Sequence, residues 1–410
     1  MHLMNLKIGQ IKMRILFRCD EYPPANCGGI GSVTKIVAEE LIKRGHEIFV
    51  VGSYQMGHNL PAYSKINGVT IFRLTHFAFI RYVPTFTVNL TIKLLNKLSI
   101  LSNQAIRANT ILEKYIQELI IKEKIDCLEI TDYNDLFKFI KKEIKLQRFE
   151  IPTILRAHGS ISFLNFHKQI QNKIHVSNDI NNFKRCSKII AVSKFSENYV
   201  NNKINIRNLP SEVIFNPIED SFLKETSSPE KTNYILFIGK VSETKGAFSL
   251  IKAFNTISRK NPDLKLIFLG GGEIEKAKTL INADVKNKVL FKGYIPRTFI
   301  KDYIDNSKFC VIPTYFENFS MVALEIMARS KALIYSKRTS GNEIIQNLMD
   351  GILIDPENID ELIVNIQLLL DDNDLRRRIE QQAFLKIKNK FIVSIILNEL
   401  EFSYKSIINE

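Results

Sequence analysis

Short apolar runs alternate along this chain with longer amphipathic stretches. The first run is Met13-Arg14-Ile15-Leu16-Phe17. A glycine loop, Gly28-Gly29-Ile30-Gly31, leads into a helical period from Ser32 to Arg44 that stops at Gly45, and a second run spans Glu47 to Gly52. This strand, loop, helix, strand order predicts two parallel strands with a right-handed crossover. Further strands are predicted at 127–130, 153–157, 188–193 and 212–215, with helical segments between them. Such alternation reads as a doubly wound α/β domain.

The pattern breaks between Glu219 and Asn233, a polar stretch containing Ser227-Ser228-Pro229, and the interdomain linker is placed there. A second alternating set follows, with strands predicted at 234–238, 264–269, 289–291, 309–313, 332–335 and 352–354. The tail from Asp360 to Asn409 reads as helical. The expected architecture is therefore α/β with two tandem Rossmann-like domains, residues 1–218 and 219–390, facing each other across a cleft. A helical tail, 391–410, is available to pack back on the first domain. Ligands of open α/β sheets bind outside the carboxyl ends of the strands, which in this arrangement line the crevice.

Composition adds bounds. With 410 residues, 45% of them apolar, the chain is long enough for two cores. No run of about 18 apolar residues predicts a membrane span, and Met1–Lys12 makes a poor secretory signal. Five scattered cysteines (Cys19, Cys27, Cys127, Cys186, Cys310) form no Cys-x-x-Cys pair. That pattern argues for a reducing, cytoplasmic setting and against a disulfide framework or structural zinc. No His-Glu-x-x-His spacing occurs.

The net charge of +14 is uneven. Residues 1–218 hold 30 Lys+Arg against 17 Asp+Glu, whereas residues 219–410 hold 27 against 26. The excess belongs to the first half, where anionic membrane, nucleic acid, an acidic substrate or a plain solvated face would each account for it.

The candidate chemistry lies mainly in the second half. The strand ending at Ile238 runs into Gly239-Lys240-Val241-Ser242-Glu243-Thr244-Lys245-Gly246, a glycine-bounded loop whose two lysines can grip a pyrophosphate. Downstream, Glu317-Asn318-Phe319-Ser320-Met321-Val322-Ala323-Leu324-Glu325 places two carboxylates eight apart. Ser320 is a preferred helix cap. The amides of Met321 and Val322 behind it form a natural anion site. Glu325 sits among Leu324, Ile326 and Met327, where a carboxylate needs a partner. A ribose diol would supply one.

These motifs, in this order and about 75 residues apart, resemble those of the retaining GT-B glycosyltransferases of family 4. Glu317 and Glu325 match the family's glutamate–x7–glutamate signature. Gly239, Lys240, Lys245 and Gly246 match its phosphate loop, with lysine at Lys240 where arginine is usual. Asn318 and Ser320 stand where glycine is usual. Tyr22-Pro23-Pro24 with the loop containing Gly29 and Gly31 resembles the family's N-terminal glycine loop, and His158 in Arg156-Ala157-His158-Gly159 matches its active-site histidine.

The resemblance implies transfer of a sugar from a nucleoside diphosphate sugar to a hydroxyl acceptor, a glycan or lipid-linked glycan, with retention. His158, Lys240, Lys245 and Glu317 are then the catalytic groups. Gly29, Gly31, Gly239, Asn318, Phe319, Ser320, Met321, Val322 and Glu325 bind the nucleotide-sugar. No cofactor and no metal are implied, nor any nucleic-acid partner, and Glu343 is given a supporting role.

The basic, aromatic stretch 71–101, with Phe72, Phe77, Phe79, Tyr82 and Phe86, then reads as a surface for the inner face of an anionic membrane. Its alternative is a helical hairpin packed on the sheet. Two rival functions are a nucleotide-sugar epimerase on the same fold and a basic nucleic-acid binder, for which the glutamate pair has no use.

Overall fold

The structure is a computed structural model and describes residues 12–25, 28–55, 59–76, 95, 97–167, 170–206, 208–225 and 232–409. It divides into two compact units. Unit 1 comprises the chain up to Val192, Ser196–Ile214 and Leu397 onward; unit 2 comprises Ser193–Phe195 and Phe215–Ile396.

Unit 1 is built on an eight-stranded sheet. Its strands are β1 (Arg14–Arg18), β2 (Glu47–Gln55), β3 (Tyr63–Ile66), β4 (Val69–His76), β5 (Cys127–Thr131), β6 (Thr153–Ala157), β7 (Lys188–Ala191) and β8 (Ser211–Val213). They lie in the order β3-β4-β2-β1-β5-β6-β7-β8. All neighbours are parallel except the β3–β4 hairpin, which turns through Asn67-Gly68. Helices Gly29–Lys43, Ile100–Lys122 and Lys173–Lys184 supply the crossovers. Leu112, Ile116 and Leu119, at helical spacing, pack with Leu16, Leu128, Ile130 and Leu155 of the sheet. Each such buried side chain contributes roughly 1.5–3 kcal/mol of transfer free energy.

The hairpin corrects one expectation. Residues 71–76, the start of the stretch read as a membrane surface, form part of β4. Phe72 is buried, and so is Arg73, whose guanidinium donates to Pro61 O at 3.1 Å and Ser64 Oγ at 2.8 Å and stacks on Tyr54. Phe77, Phe79, Tyr82 and Phe86 lie outside the described residues.

Unit 2 carries a six-stranded parallel sheet of β9 (Tyr234–Ile238), β10 (Lys265–Leu269), β11 (Val289–Phe291), β12 (Phe309–Ile312), β13 (Leu333–Ser336) and β14 (Ile352–Ile354). The order is β11-β10-β9-β12-β13-β14. Alternate residues of the strands, Ile235 and Phe237, Leu266 and Phe268, Phe309 and Val311, share a core with helices Ala247–Lys260 and Ile359–Asp371. β9 and β12 are buried along their whole length, as parallel strands covered on both faces must be. Sequential strands run one way from β9 to β11, and the chain then returns to lay β12 on the other side of β9. That reversal is the point at which open α/β sheets bind ligands.

The division between the units at Ile214/Phe215 lies a little before the polar stretch taken as the linker. Part of that stretch is anchored: Phe222 is buried and Lys224 Nζ lies 2.7 Å from Asp305 Oδ2. The last helix, Val393–Ile408, brings residues from Leu397 onward into unit 1. There Tyr404 donates to Glu129 Oε2 at 2.6 Å, and Arg44 reaches Glu401 at 3.0 Å.

Candidate active site

In unit 2 the two loops at the β9/β12 reversal are bound to each other. The Thr244 carbonyl accepts from Tyr315 N at 3.0 Å and Thr314 Oγ1 at 3.2 Å. Gly246 is required where they meet. Its φ of +75° is left-handed, and a Cβ there would fall 1.8 Å from the Pro313 carbonyl oxygen. A third loop, Gly270-Gly271-Gly272 after β10, lies against the first: Val241 N donates to Gly271 O at 2.8 Å, and a Cβ on Gly272 would meet Val241 O at 2.4 Å. This triplet was missed from sequence, although three consecutive glycines at the end of a strand were signal enough.

The approach of these loops brings Lys245 Nζ to 2.5 Å from Glu317 Oε2, with both side chains about a third exposed. Lys240 points from an exposed position of the same loop. Glu317 leads into Asn318, whose carbonyl accepts from Ser193 Oγ at 3.1 Å. Ser320 caps the helix Met321–Ala328, its hydroxyl accepting from Ala323 N at 3.2 Å, and the first backbone helical bond starts from Leu324. The amides of Met321 and Val322 stand ahead of both, at the positive end of the helix dipole.

Phe319 departs from expectation. Its ring is buried against Phe215, with centroids 5.4 Å apart, and beside Phe391. An aromatic ring next to two others joins the core, which leaves only the backbone of Phe319 for the role expected of it.

Glu325 is 5% exposed. The partner that so apolar a helix demands is Arg297, whose Nη2 donates to Glu325 Oε1 at 2.6 Å. Burial pushes the Glu325 carboxyl up, and the guanidinium opposes that shift. Arg297 was not singled out from sequence, since nothing local marks a pairing across a strand and two loops. Glu343 accepts from the amides of Lys194 at 2.6 Å and Phe195 at 2.9 Å, anchoring Ser193–Phe195 to unit 2.

In unit 1 the histidine turn follows β6. Asp132, at the end of β5, accepts from His158 N at 2.8 Å and from Gly159 N at 3.0 and 3.1 Å. Its burial holds the carboxyl up at about 7 despite those amides. His158 is driven well below its ordinary range by burial and by Arg156, so its ring is neutral at pH 7.

The glycine loop is capped from within. Glu21 Oε1 accepts from Gly31 N at 2.8 Å, so the amide expected to meet a ligand is held by a carboxylate of the chain. Gly29 opens the helix, and space around it is open.

Comparison with known proteins adds to this geometry. The sequence profile described as "Glycosyl transferases group 1" matches residues 219–386, and the one described as "Glycosyltransferase Family 4" matches residues 27–222. The chain is a glycosyltransferase of the group 1, family 4 type. An uncharacterized glycosyltransferase of Methanocaldococcus jannaschii is 26% identical over 413 residues, covering 96% of this chain and 98% of that protein.

Among solved structures, sucrose-phosphate synthase of Thermosynechococcus elongatus superposes with a TM-score of 0.78 at 17% identity, over 97% of this glycosyltransferase and all of that chain. Anabaena HepE in complex with UDP-glucose gives 0.68 at 16% identity, over 96% of this chain and all of its own. The shared fold is GT-B, two Rossmann-like domains in tandem. In this glycosyltransferase the phosphate-loop and double-glutamate motifs both fall at the sheet reversal of unit 2, while His158 lies at the end of β6 in unit 1.

Proposed function

We propose that this glycosyltransferase moves a sugar from a nucleoside diphosphate sugar to a hydroxyl of a glycan or lipid-linked glycan, with retention at the anomeric carbon. The observation that carries the reading is the convergence of Lys245, Glu317 and the capped helix start at the β9/β12 reversal. A departing diphosphate develops negative charge, and two lysines with preorganised amides are suited to stabilise it. In this reading Lys240, Lys245 and the amides of Met321 and Val322 hold the diphosphate. Glu325 accepts from the ribose hydroxyls, and Glu317 contacts the donor sugar alongside Asn318 and Ser320.

No protein nucleophile is needed if the acceptor hydroxyl attacks on the leaving-group face and a phosphate oxygen takes its proton. His158, neutral and held by its turn, is suited to serve as a hydrogen-bonding group. We infer that the cationic groups do the work a divalent metal would do, so that chelator leaves turnover unchanged. HepE is crystallised with UDP-glucose, which makes a uridine nucleotide the first donor to try.

The uneven charge of the chain favours an anionic acceptor, such as a lipid-linked glycan at a membrane surface, on the unit 1 side. Among the described residues no helix is long and apolar enough to cross a membrane.

A thermal-shift screen against UDP-, GDP- and ADP-sugars tests the donor class. A ligand at about 100 times its Kd adds roughly 2.7 kcal/mol of stability. A shift with one nucleotide class is expected; no shift with any of them contradicts the proposal.

A further inference from the structure

We propose that Arg297 is a positioning residue for the ribose site: it fixes the buried Glu325 carboxylate by one oxygen and turns the other to the ribose, so setting how strictly the enzyme distinguishes ribonucleotides from deoxyribonucleotides. The inference rests on the ribose role proposed for Glu325 and adds a residue to it.

Arg297 opens the helix Arg297–Asn306, just beyond β11, whereas Glu325 lies in the helix after β12. The two elements flank the β9/β12 reversal from opposite sides of the sheet order. Arg297 Nη2 holds Glu325 Oε1 at 2.6 Å, and among the described residues no hydrogen bond reaches Oε2. One carboxylate oxygen is therefore committed and the other remains to accept.

The guanidinium is itself oriented by stacking. Its carbon lies 5.2 Å from the centroid of the buried Phe222 ring, and Lys301 Nζ lies 4.6 Å from the same ring while donating to Ser221 O at 2.7 Å. A cation over an aromatic face is held in place without using its donors. Arg297 Nε is buried and has no acceptor among the described residues. A buried donor left unpaired is unfavourable in the ligand-free protein, and a ribose oxygen beside Glu325 would satisfy it.

The charged groups that bear on Glu325 are Arg297 and Lys301 from one helix and Glu219 from the segment before Phe222. Arg297 is the nearest and the only one of them bonded to it. Without Arg297, burial and Glu219 both favour the protonated acid. A protonated carboxyl offers the ribose diol one acceptor fewer and donates where it should accept. Loss of Arg297 should therefore weaken ribonucleotide binding most at low pH and let binding recover as pH rises.

The test is calorimetric titration of the full chain with a nucleoside diphosphate and its 2′-deoxy and 3′-deoxy forms, across pH 5.5–8.5, for wild type, Arg297→Met, Arg297→Lys and Glu325→Gln. The base is the one that binds wild type best. For Arg297→Met the preference for ribo over deoxy should fall about tenfold or more at low pH. Its affinity should rise with pH more steeply than that of wild type, with the effect on the transfer reaction appearing in KM more than in kcat.

Arg297→Lys should restore the pH profile but not the full discrimination, because a point charge replaces the planar fork. It also carries the test if Arg297→Met does not fold. An unchanged ribo/deoxy ratio and pH profile in the Arg297 variants, with the ratio lost in Glu325→Gln, overturns the positioning role and leaves the ribose role standing. An unchanged ratio in Glu325→Gln overturns the ribose role, and this inference with it.

Discussion

Lys245 and Glu317, 72 residues apart in sequence, meet with Nζ and Oε2 2.5 Å apart at the reversal point of the unit 2 sheet. The pair closes because the Thr244 carbonyl accepts from Tyr315 N and Thr314 Oγ1 while Gly246 packs against the Pro313 carbonyl, on either side of Lys245. An exposed ion pair of this kind adds at most about 1 kcal/mol to stability. Glu317 lies in the loop that leads into the helix capped by Ser320, and the proposed function rests on that placement.

Lys245→Ala should therefore separate activity from folding. Removing a preorganised donor to developing charge lowers kcat by roughly 100- to 1000-fold, while the melting temperature should move little. Steady-state kinetics with a calorimetric melt checks both. Full activity in the variant would remove Lys245 from the phosphate clamp.

Gly246→Ala should damage both properties. The left-handed backbone alone costs an L-residue roughly 1–2 kcal/mol, and the added carbon collides with the Pro313 carbonyl. The loops must part, so the melting temperature falls and donor binding falls with it. Gly29→Ala is the control, since its surroundings are open and its stability should stay near wild type.

Much of this was legible beforehand, for a physical reason. Parallel strands covered on both faces read as apolar runs, so β1, β6, β9 and β12 stand out from the sequence, as do the loops that follow them. The β3–β4 hairpin did not. Tyr63–Ile66 alternates between exposed and half-buried positions and lies at the sheet edge, so it has no apolar run to announce it. Glu325 advertised the need for a partner through Leu324, Ile326 and Met327. The identity of that partner, Arg297, depends on which loop the fold brings alongside. Likewise Gly31 reads as an open amide until Glu21, ten residues earlier, is seen to cap it.

The buried Asp132 carboxylate, bonded to the amides of His158 and Gly159, predicts a pH dependence for the transfer reaction. Its carboxyl lies at about 7 in the folded protein against an ordinary 3.8. The folded state therefore holds an extra proton between those values, and the favourable contribution present at low pH is lost as pH rises through about 7. Above that point the ionised carboxylate accepts from His158 and Gly159 most strongly, so the histidine turn is firmest there. Activity should show a step near pH 7 that Asp132→Asn abolishes, measured as kcat/KM against pH. A step that persists in the variant assigns the titration elsewhere.

Tyr404 ties the last helix to unit 1 through Glu129. Tyr404→Phe leaves a buried carboxyl without its hydroxyl donor, which costs roughly 1–3 kcal/mol. For a unit of this size that corresponds to a fall of about 2–4 °C per kcal/mol in melting temperature. Nucleoside diphosphate affinity should be unaffected, because the groups proposed to hold the diphosphate and ribose, Lys240, Lys245, Met321, Val322 and Glu325, belong to unit 2.

The most direct test is isothermal titration of UDP, GDP and ADP into the intact chain and into Lys245→Ala. The account predicts that one of the three binds wild type with a single site, and that the variant binds it at least about tenfold more weakly, as loss of a charge-assisted contact requires. Failure of all three to bind, or equal affinity in the two proteins, would contradict it.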